Sequence, residues 1–328
     1  MKDLSIIIVN YRGWKHLKIC LDSLAGFSGT IYNYEIIVVD NNSDDGILRE
    51  FKSAYPDFIF IESKVNGGFG YGCNLGAKNG SGEFFLFLNP DTVATEPEVE
   101  KLLKRAKGNP EYFITSCSQV NESGKECKAF GLFPGFGTLT GIGRALYRQY
   151  NKRSVIERTT AKNNIILPDW VSGSVIMISS KIFEQIKGFD EDFWLYFEDT
   201  DLCRRVRDIK GEIAYFTDIK IQHNHGGTSR VNLKTTALTK TEVLISNHLY
   251  ISKHSKGFSR VVLHLLLILN NLIGGFPIVI IDLLSFLHPK GFVRTLIYGR
   301  LIGYYFGALV RGSWISPRSV NFKKANNF

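Results

Sequence analysis

FFLFLNPD, residues 84–91, sets five apolar side chains in a row ahead of Asn89, Pro90 and Asp91. An apolar run this short, closed by turn formers, reads as a fully buried strand. Pro90 has no N–H to give a sheet ladder, so the strand stops there. A carboxylate is thus left where a buried strand leaves the core, the position at which open α/β sheets bind ligands. Taken alone, Asp91 reads first as a turn cap, and the flanking sequence has to decide.

Outward from this stretch the first hundred residues alternate. LSIIIVN (4–10), YEIIVVD (34–40) and FIFIE (58–62) read as further strands. Residues 14–25 carry apolar side chains at helical spacing, a helix near 45–55 ends before Pro56, and another begins near Gly72 after the Gly-rich loop 66–72. The helix expected at 96–107 has an acidic first turn (Glu96, Glu98, Glu100), which complements its dipole. Strand–helix alternation with near-continuous apolar strands predicts a parallel sheet covered on both faces. Residues 131–168 read as an irregular insertion. Order resumes with a strand at WVSGSVIMIS (170–179), a helix to Ile186, a Gly-Phe-Asp turn and a helix from about Glu198.

With 44% hydrophobic and 13% aromatic residues, the 328-residue chain can bury a substantial core. Five scattered cysteines without a Cys-x-x-Cys argue against a disulfide framework or zinc site and for a reducing compartment. The chain opens directly into a strand with no signal-peptide plan, so the catalytic part is expected in the cytoplasm. The net charge of +9 is localised: ten Lys or Arg stand against Asp282 alone after residue 250, while residues 1–250 hold thirty basic and thirty acidic side chains. Basic residues among aliphatics suggest an anionic membrane surface, and nucleic acid is the weaker reading. Residues 261–281, VVLHLLLILNNLIGGFPIVII, carry no formal charge over 21 positions, enough to span a bilayer. Asn270 and Asn271 interrupt them, as do Gly274, Gly275 and Pro277, and both flanks are basic. One crossing cannot keep both flanks on the positive-inside face. The expectation is an interfacial or re-entrant helical pair on the inner leaflet. The expected organisation is residues 1–250 as one domain (halves about 1–115 and about 168–230) and 251–328 as a membrane-association region.

Four polar clusters fall at expected strand ends. They are Asn10 and Tyr11; Asp40 with Asn41, Asn42, Ser43 and Asp44; the glycines of VNGGFGYGCN; and Asn89 to Asp91. Any one alone reads as turn chemistry, but four along one edge of a parallel sheet define a crevice. GYGCNLG resembles a dinucleotide fingerprint with the wrong spacing and after the wrong strand, and no P-loop occurs. The glycines read instead as places where backbone approaches a ligand. In GFDEDFWLYFEDTDLCRR (188–205) the aromatic run from Phe193 to Phe197 leads into Glu198, Asp199 and Asp201 at a helix start. Capping and dipole complementation account for one or two of those acids. They do not account for the aromatic wall, a usual surface for stacking a sugar ring.

In order, SIIIVNYRGWKHLKICLDSL, VVDNNSDD, NGGFGYGCN, FLNPD, GFDEDFWLYFEDTDLC and HNHGGTS resemble the family 2 glycosyltransferases with the GT-A fold, over about residues 3–230. The nearest branch is the rhamnosyltransferase-like one of bacterial surface-polysaccharide synthesis. The resemblance implies a Rossmann-like α/β sheet that binds a nucleotide-diphosphate sugar, followed by a helical membrane-associated tail. The implied reaction is an inverting transfer, with rhamnose from dTDP-rhamnose as the best guess, to a hydroxyl of a polyprenyl-diphosphate-linked saccharide. The implied location is the cytoplasmic face of the bacterial inner membrane.

Carried over by position, the resemblance makes Asp199 the catalytic base and Asp40 the carboxylate that holds the base or ribose of the nucleotide. Asn10, Tyr11, Asn42, Asn66, Gly67, Gly68, Asn74 and Asn89 become the rest of the donor pocket. Trp170, Gly173, Trp194 and Glu198 become the acceptor and sugar side. Asp91 matches the last acid of the family's Asp-x-Asp motif, whose first acid is Asn89 here, leaving one charged ligand for a divalent cation (Mg²⁺ or Mn²⁺). His225, with His223 as the alternative, is implied beside the diphosphate and the cation. Such a cation would stabilise the departing diphosphate as a Lewis acid. Two other readings compete. A nucleotidyltransferase should carry a Gly-rich, basic loop after the first strand, which is missing. An inactive sugar-nucleotide-binding membrane protein should have lost Asp91 or Asp199, and both are present.

Overall fold

The computed structural model describes residues 2–139, 145, 147, 149–224, 232–284 and 288–323. The chain divides into two units. The first comprises Met1–Phe133, Arg153–Asp190 and Glu198–Thr228; the second comprises Pro134–Lys152, Glu191–Phe197 and Ser229–Phe328. His225 lies outside the described residues.

The first unit is built on β1 (Lys2–Asn10), β2 (Tyr34–Asp40), β3 (Ile59–Glu62), β4 (Gly82–Leu88), β5 (Thr92–Val93), β6 (Tyr112–Val120), β7 (Glu126–Cys127), β8 (Phe130–Gly131), β9 (Ile165–Ile166), β10 (Trp170–Val171), β11 (Val175–Ser179) and β12 (Glu212–His223). The main sheet runs β3-β2-β1-β4-β11-β6-β12-β5. Its first four strands are parallel, as the apolar runs require, with Asn10 opposite Asp40 and Ile8 opposite Leu88. The expectation of a wholly parallel sheet is corrected beyond β4. There β11 runs antiparallel to both β4 and β6, while β12 is parallel to β6.

The stretch 170–179 is also not one strand. β10 pairs with β8 in a separate two-stranded sheet, and β11 begins only after Ser172–Ser174. The Gly173 N–H is spent on Asp199 rather than on a ladder, and the strand is interrupted there. The insertion expected to be irregular contains the helix Lys152–Thr159 as well as β9.

Alternation along β1 supplies both faces of the sheet. Leu4, Ile6 and Ile8 join one buried cluster with Leu17, Leu21, Val38, Leu86 and Leu102. Ile7 and Val9 join the other with Val39, Cys73, Phe87, Phe183 and Phe189. Each such side chain contributes about 1.5–3 kcal/mol on burial. The helix Phe69–Lys78 lies hard against β1, because a side chain at Gly72 would begin 2.6 Å from a Val9 methyl. Gly72 and Gly76 therefore serve helix–strand packing rather than close approach to a ligand, correcting that part of the sequence reading.

The second unit contains the helices Leu233–His254, Gly257–Leu272, Phe276–Leu284 and Pro289–Arg311. The boundary expected at residue 250 falls inside the first of these, because Ile245 buries with Leu301, Tyr304, Tyr305 and Ala308. Asp282 is buried and takes a bidentate grip from Arg294. The apolar stretch breaks at 273–275, near the predicted Gly274 and Gly275. By length and composition Gly257–Leu284 could cross a membrane, and 17% of its most apolar window is buried. Phe258, Val261, Leu265, Leu269, Ile273, Phe276 and Leu284 are exposed along it, and Phe306, Leu309 and Val310 on the last helix.

Within this unit the segment 191–197 is pinned. Ser246 donates to the Leu195 carbonyl, Ser319 to that of Glu191, and Lys253 and Asn321 to the Asp192 carboxylate. Tyr196 and Phe197 hold left-handed φ angles of 67° and 69°, a strained choice for bulky side chains.

Candidate active site

The carboxyl ends of β1, β2 and β4 supply three of the expected clusters. Asn10 and Asp40 are register partners on adjacent strands, and both are buried. The Asn10 side-chain oxygen Oδ1 accepts from the Gly13 N–H at 3.1 Å, while its buried Nδ2 has no partner. Asp40 is held by Ser43, whose hydroxyl and N–H both donate to its carboxylate. Burial raises the Asp40 pKa, and the two bonds from Ser43 oppose the shift. Arg12 closes the same corner by donating from its backbone and guanidinium to Ser43, and its guanidinium lies 5.4 Å from the centre of the exposed Tyr11 ring. Asn42 takes a left-handed φ of 64° in the turn behind Asp40.

Sequence reasoning passed over Asn41 as a latch. Its amide donates to Asn66 Oδ1 and to the Gly68 carbonyl, and its carbonyl oxygen accepts from the Gly67 N–H. The glycine loop is thereby tied to the end of β2, and Gly68, at φ 93°, occupies a conformation that favours glycine. Asn74 bonds in both directions with the backbone of Phe189, so its amide braces the Gly188 turn, where φ is 66°.

Asp91 leaves β4 as expected, and a neighbouring pairing fixes what it meets. Thr92 pairs with His223 in the β5–β12 ladder, and the Asn224 N–H donates to the Asp91 carbonyl. This puts His223 Nε2 3.1 Å from Asp91 Oδ1, with Asn89 Nδ2 3.4 Å from the same nitrogen. On its other side His223 Nδ1 lies 2.8 Å from Gln119 Oε1, which also accepts from Ser174 at 2.8 Å. Asp91, His223, Gln119 and Ser174 are all buried. Among the described residues no three His, Cys, Asp or Glu cluster as a complete metal cage. Asp91 and His223 fit half of one, for they offer an oxygen and a nitrogen at about the spacing of adjacent ligands on an octahedral cation with bonds of roughly 2.1 Å. Of the two histidines considered, His223 is the one described, and it is beside Asp91.

Asp199 sits in the first turn of the helix Glu198–Asp208, half-buried. Its Oδ2 accepts from the Gly173 N–H at 2.9 Å and its Oδ1 from the Thr200 N–H at 2.6 Å. Burial raises its pKa, against those bonds. The next residue, Ser174, accepts the Asn89 N–H on its carbonyl at 3.1 Å. Three consecutive residues, Ser172 to Ser174, thus reach Asp199 on one hand and Asn89, Gln119 and through it His223 on the other.

The remaining candidates make other contacts. Glu198 is 4% exposed and its Oε2 has no partner. Burial raises its pKa well above the ordinary range, and the charge of Asp199 adds to the shift. Trp170 Nε1 donates to the Leu132 carbonyl, and the ring covers Gly131. Trp194 belongs to the second unit, where the Arg318 guanidinium lies 5.7 Å from its ring centre. Asp201 pairs with Arg205, which also donates to the carbonyls of Ile186 and Gly188.

Residues 5–163 match the family described as Glycosyl transferase family 2, and residues 159–228 match one described as N-terminal domain of galactosyltransferase. The low-salt glycan biosynthesis hexosyltransferase Agl10 of Haloferax volcanii is 29% identical over 63% of this chain and 62% of its own length. Rhamnosyltransferase WbbL of Escherichia coli is 26% identical over 61% of this chain and 75% of its own. The mannosyltransferase PcManGT of Pyrobaculum calidifontis, solved with GDP-Man and Mn²⁺, superposes with a TM-score of 0.54 at 15% identity, covering 99% of this chain and 84% of its own. GalNAc-T7, solved with UDP, GalNAc and Mn²⁺, gives 0.53 at 15% identity over 77% and 50%. The fold is accordingly the GT-A type of α/β glycosyltransferase, with a mixed sheet.

Proposed function

Residues 5–163 form a glycosyl transferase family 2 domain, and from that premise we propose that the protein is an inverting, cation-assisted transferase. It moves a sugar from a nucleoside diphosphate to an acceptor hydroxyl. The observation that carries this reading is the turn Ser172–Ser174, which hydrogen-bonds Asp199 through Gly173 and meets the Asn89–Asp91 and His223 side through Ser174. Asp199 takes the hydroxyl proton, the acceptor oxygen forms its bond to the anomeric carbon, and the bond from that carbon to the diphosphate oxygen breaks with its electron pair on the diphosphate. A general base of this kind contributes about 10²–10⁴-fold. Burial makes Asp199 a stronger base than an exposed aspartate. Asp91 and His223 would hold a divalent cation, which supplies Lewis-acid stabilisation of the leaving diphosphate. Asp40, seated by Ser43, and the unsatisfied Nδ2 of Asn10 offer an acceptor and a donor to the nucleoside.

Rhamnose from dTDP-rhamnose is our reading of the donor, and the name of the Escherichia coli relative supports the rhamnosyl part of it. A polyprenyl-diphosphate-linked saccharide is our reading of the acceptor. It is supported by the exposed apolar side chains of the second unit and the excess of basic residues after position 250. In the same reading the second unit rests on the cytoplasmic leaflet of a bacterial inner membrane. The test is release of nucleoside diphosphate from a panel of dTDP-, UDP- and GDP-sugars by the full-length protein, with Mn²⁺, with Mg²⁺ and with EDTA. Turnover of one donor, enhanced by acceptor lipid and suppressed by EDTA, is expected. A protein that neither binds nor hydrolyses any of these donors is not a transferase of this class.

A further inference from the structure

We propose that Gln119 is a positioning residue that selects the cation-binding nitrogen of His223. The inference rests on the reading of Asp91 and His223 as cation ligands. Gln119, next to last in β6, is fully buried and lies opposite Ile221 of β12, two residues before His223. Its Oε1 lies 2.8 Å from His223 Nδ1 and 2.8 Å from the Ser174 hydroxyl. Ser174 donates to it, so Ser172, 2.9 Å away, donates to Ser174 in turn. A carbonyl oxygen can only accept, so Nδ1 carries the ring proton. In the neutral imidazole the lone pair then resides on Nε2.

Of the other contacts of Nε2, the Asn89 amide fits that tautomer, and the Asp91 carboxylate fits it only with a cation or a second proton between the two. The Asn89 amide, a donor, lies 3.4 Å from it, and Asp91 Oδ1, an acceptor, lies 3.1 Å from it. Two acceptors face each other in a buried place, an arrangement that favours a positive charge between them. Gln119 is thus the outer partner that fixes ring orientation and basicity for a histidine ligand. The opposite amide orientation would have a different result. Gln119 Nε2 would donate to Nδ1, the proton would move to Nε2, and Asp91 would consume it in a closed pair with no lone pair for a cation. The two orientations therefore predict opposite behaviour for a side chain at position 119 that can only accept.

The experiment measures Mn²⁺ binding to the full-length protein in the presence of dTDP, by the loss of the free-ion electron paramagnetic resonance signal. Gln119→Glu and Gln119→Leu are compared with the unaltered protein. The glutamate variant should bind within about threefold of it, and the leucine variant about 10–100-fold more weakly. Nitrogen-15 shifts of the His223 ring, identified by difference with His223→Asn, should place the proton on Nδ1 in the unaltered and Glu proteins. A leucine variant that binds Mn²⁺ undiminished overturns the proposal, as does a glutamate variant that loses it. If the leucine variant fails to fold, the glutamate variant and the ring shifts decide alone. An unaltered protein that binds no Mn²⁺ also overturns it, and turnover of donor in EDTA by that same protein would leave the transferase reading standing.

Discussion

Replacing Glu198 by glutamine should stabilise the protein increasingly as pH rises. The carboxyl is almost wholly buried, one oxygen has no partner, and Asp199 and Asp201 are beside it on the same turn. Burial first, and the Asp199 charge second, raise its pKa well above the ordinary value. The folded state therefore keeps a proton that the unfolded chain releases near pH 4.3. The stability tied to that proton is complete below this unfolded value and is lost as pH rises through the raised folded one. The loss runs at about 1.4 kcal/mol per pH unit, so between pH 5 and pH 7 it reaches up to about 2.7 kcal/mol. Glutamine, neutral at every pH, removes that slope while keeping size and shape. At roughly 2–4 °C per kcal/mol for a domain of 150–250 residues, the gap in Tm between variant and parent should widen by roughly 5–10 °C over that interval. Differential scanning calorimetry of both proteins at pH 5, 6 and 7 reads the gap directly, and every other titrating group cancels in the comparison. Parallel Tm curves would mean that Glu198 is ionised in the folded protein, and the argument from its burial would fail.

Asp199→Asn should lower kcat by about 10²–10⁴, roughly 2.7–5.5 kcal/mol, with donor affinity within about threefold. More than a tenth of the parent's turnover would remove Asp199 from the role of base. Because the Asp199 pKa is raised, kcat/KM should fall on acidification at a pH above the ordinary aspartate value, and a pH profile whose acid limb lies near pH 3.9 would contradict this. Asp40→Ala should raise the donor KM with a smaller effect on kcat, since the nucleoside is remote from the bonds that change; an unchanged KM would place the nucleoside elsewhere. The double variant Phe306→Glu with Leu309→Glu, at two strongly exposed positions, should reduce co-sedimentation with vesicles containing anionic phospholipid, and equal sedimentation would turn the membrane reading away from this helix.

The sequence made β1, β2 and β4 legible because each is buried over most of its length and so reads as an unbroken apolar run; β3, which has no buried residue, was legible only from its short run of aromatic and β-branched side chains. β6 and β12 escaped notice for the opposite reason. YFITSCSQV buries Thr115, Ser116, Ser118 and Gln119, and their polarity masks a strand as buried as β1. The break at 172–174 was also invisible, because serine and glycine are compatible with a strand and only the distant Asp199 draws the Gly173 N–H away from it. Asp91 and Asp199 stood out as candidates because acids at a strand end and at a helix start follow local rules. Gln119 could not, since its significance arises from the β6–β12 pairing across about a hundred residues. A run of polar residues inside a strand-length segment was the one available signal. The two histidines differ by one strand repeat, so local pattern could not separate them, and the β5–β12 register is what brings His223 to Asp91.

A transferase whose proton acceptor and leaving-group stabiliser hung from separate loops could adjust either step by drift in one loop alone. In the proposed reading a single tripeptide serves both. A side chain at Gly173 would begin 3.1 Å from the Phe69 ring and 3.4 Å from Asp199 Cβ, while Ser174 touches Asn89 and Gln119. On that reading, substitutions in this turn should alter nucleophile activation and diphosphate departure together. Residues in one hydrogen-bonded network couple by about 0.5–3 kcal/mol, so the order in which changes at positions 119, 173 and 199 are acquired will govern which of them are tolerated. Ser172–Ser174 should behave under mutation as one inherited character, epistatic to both halves of the reaction.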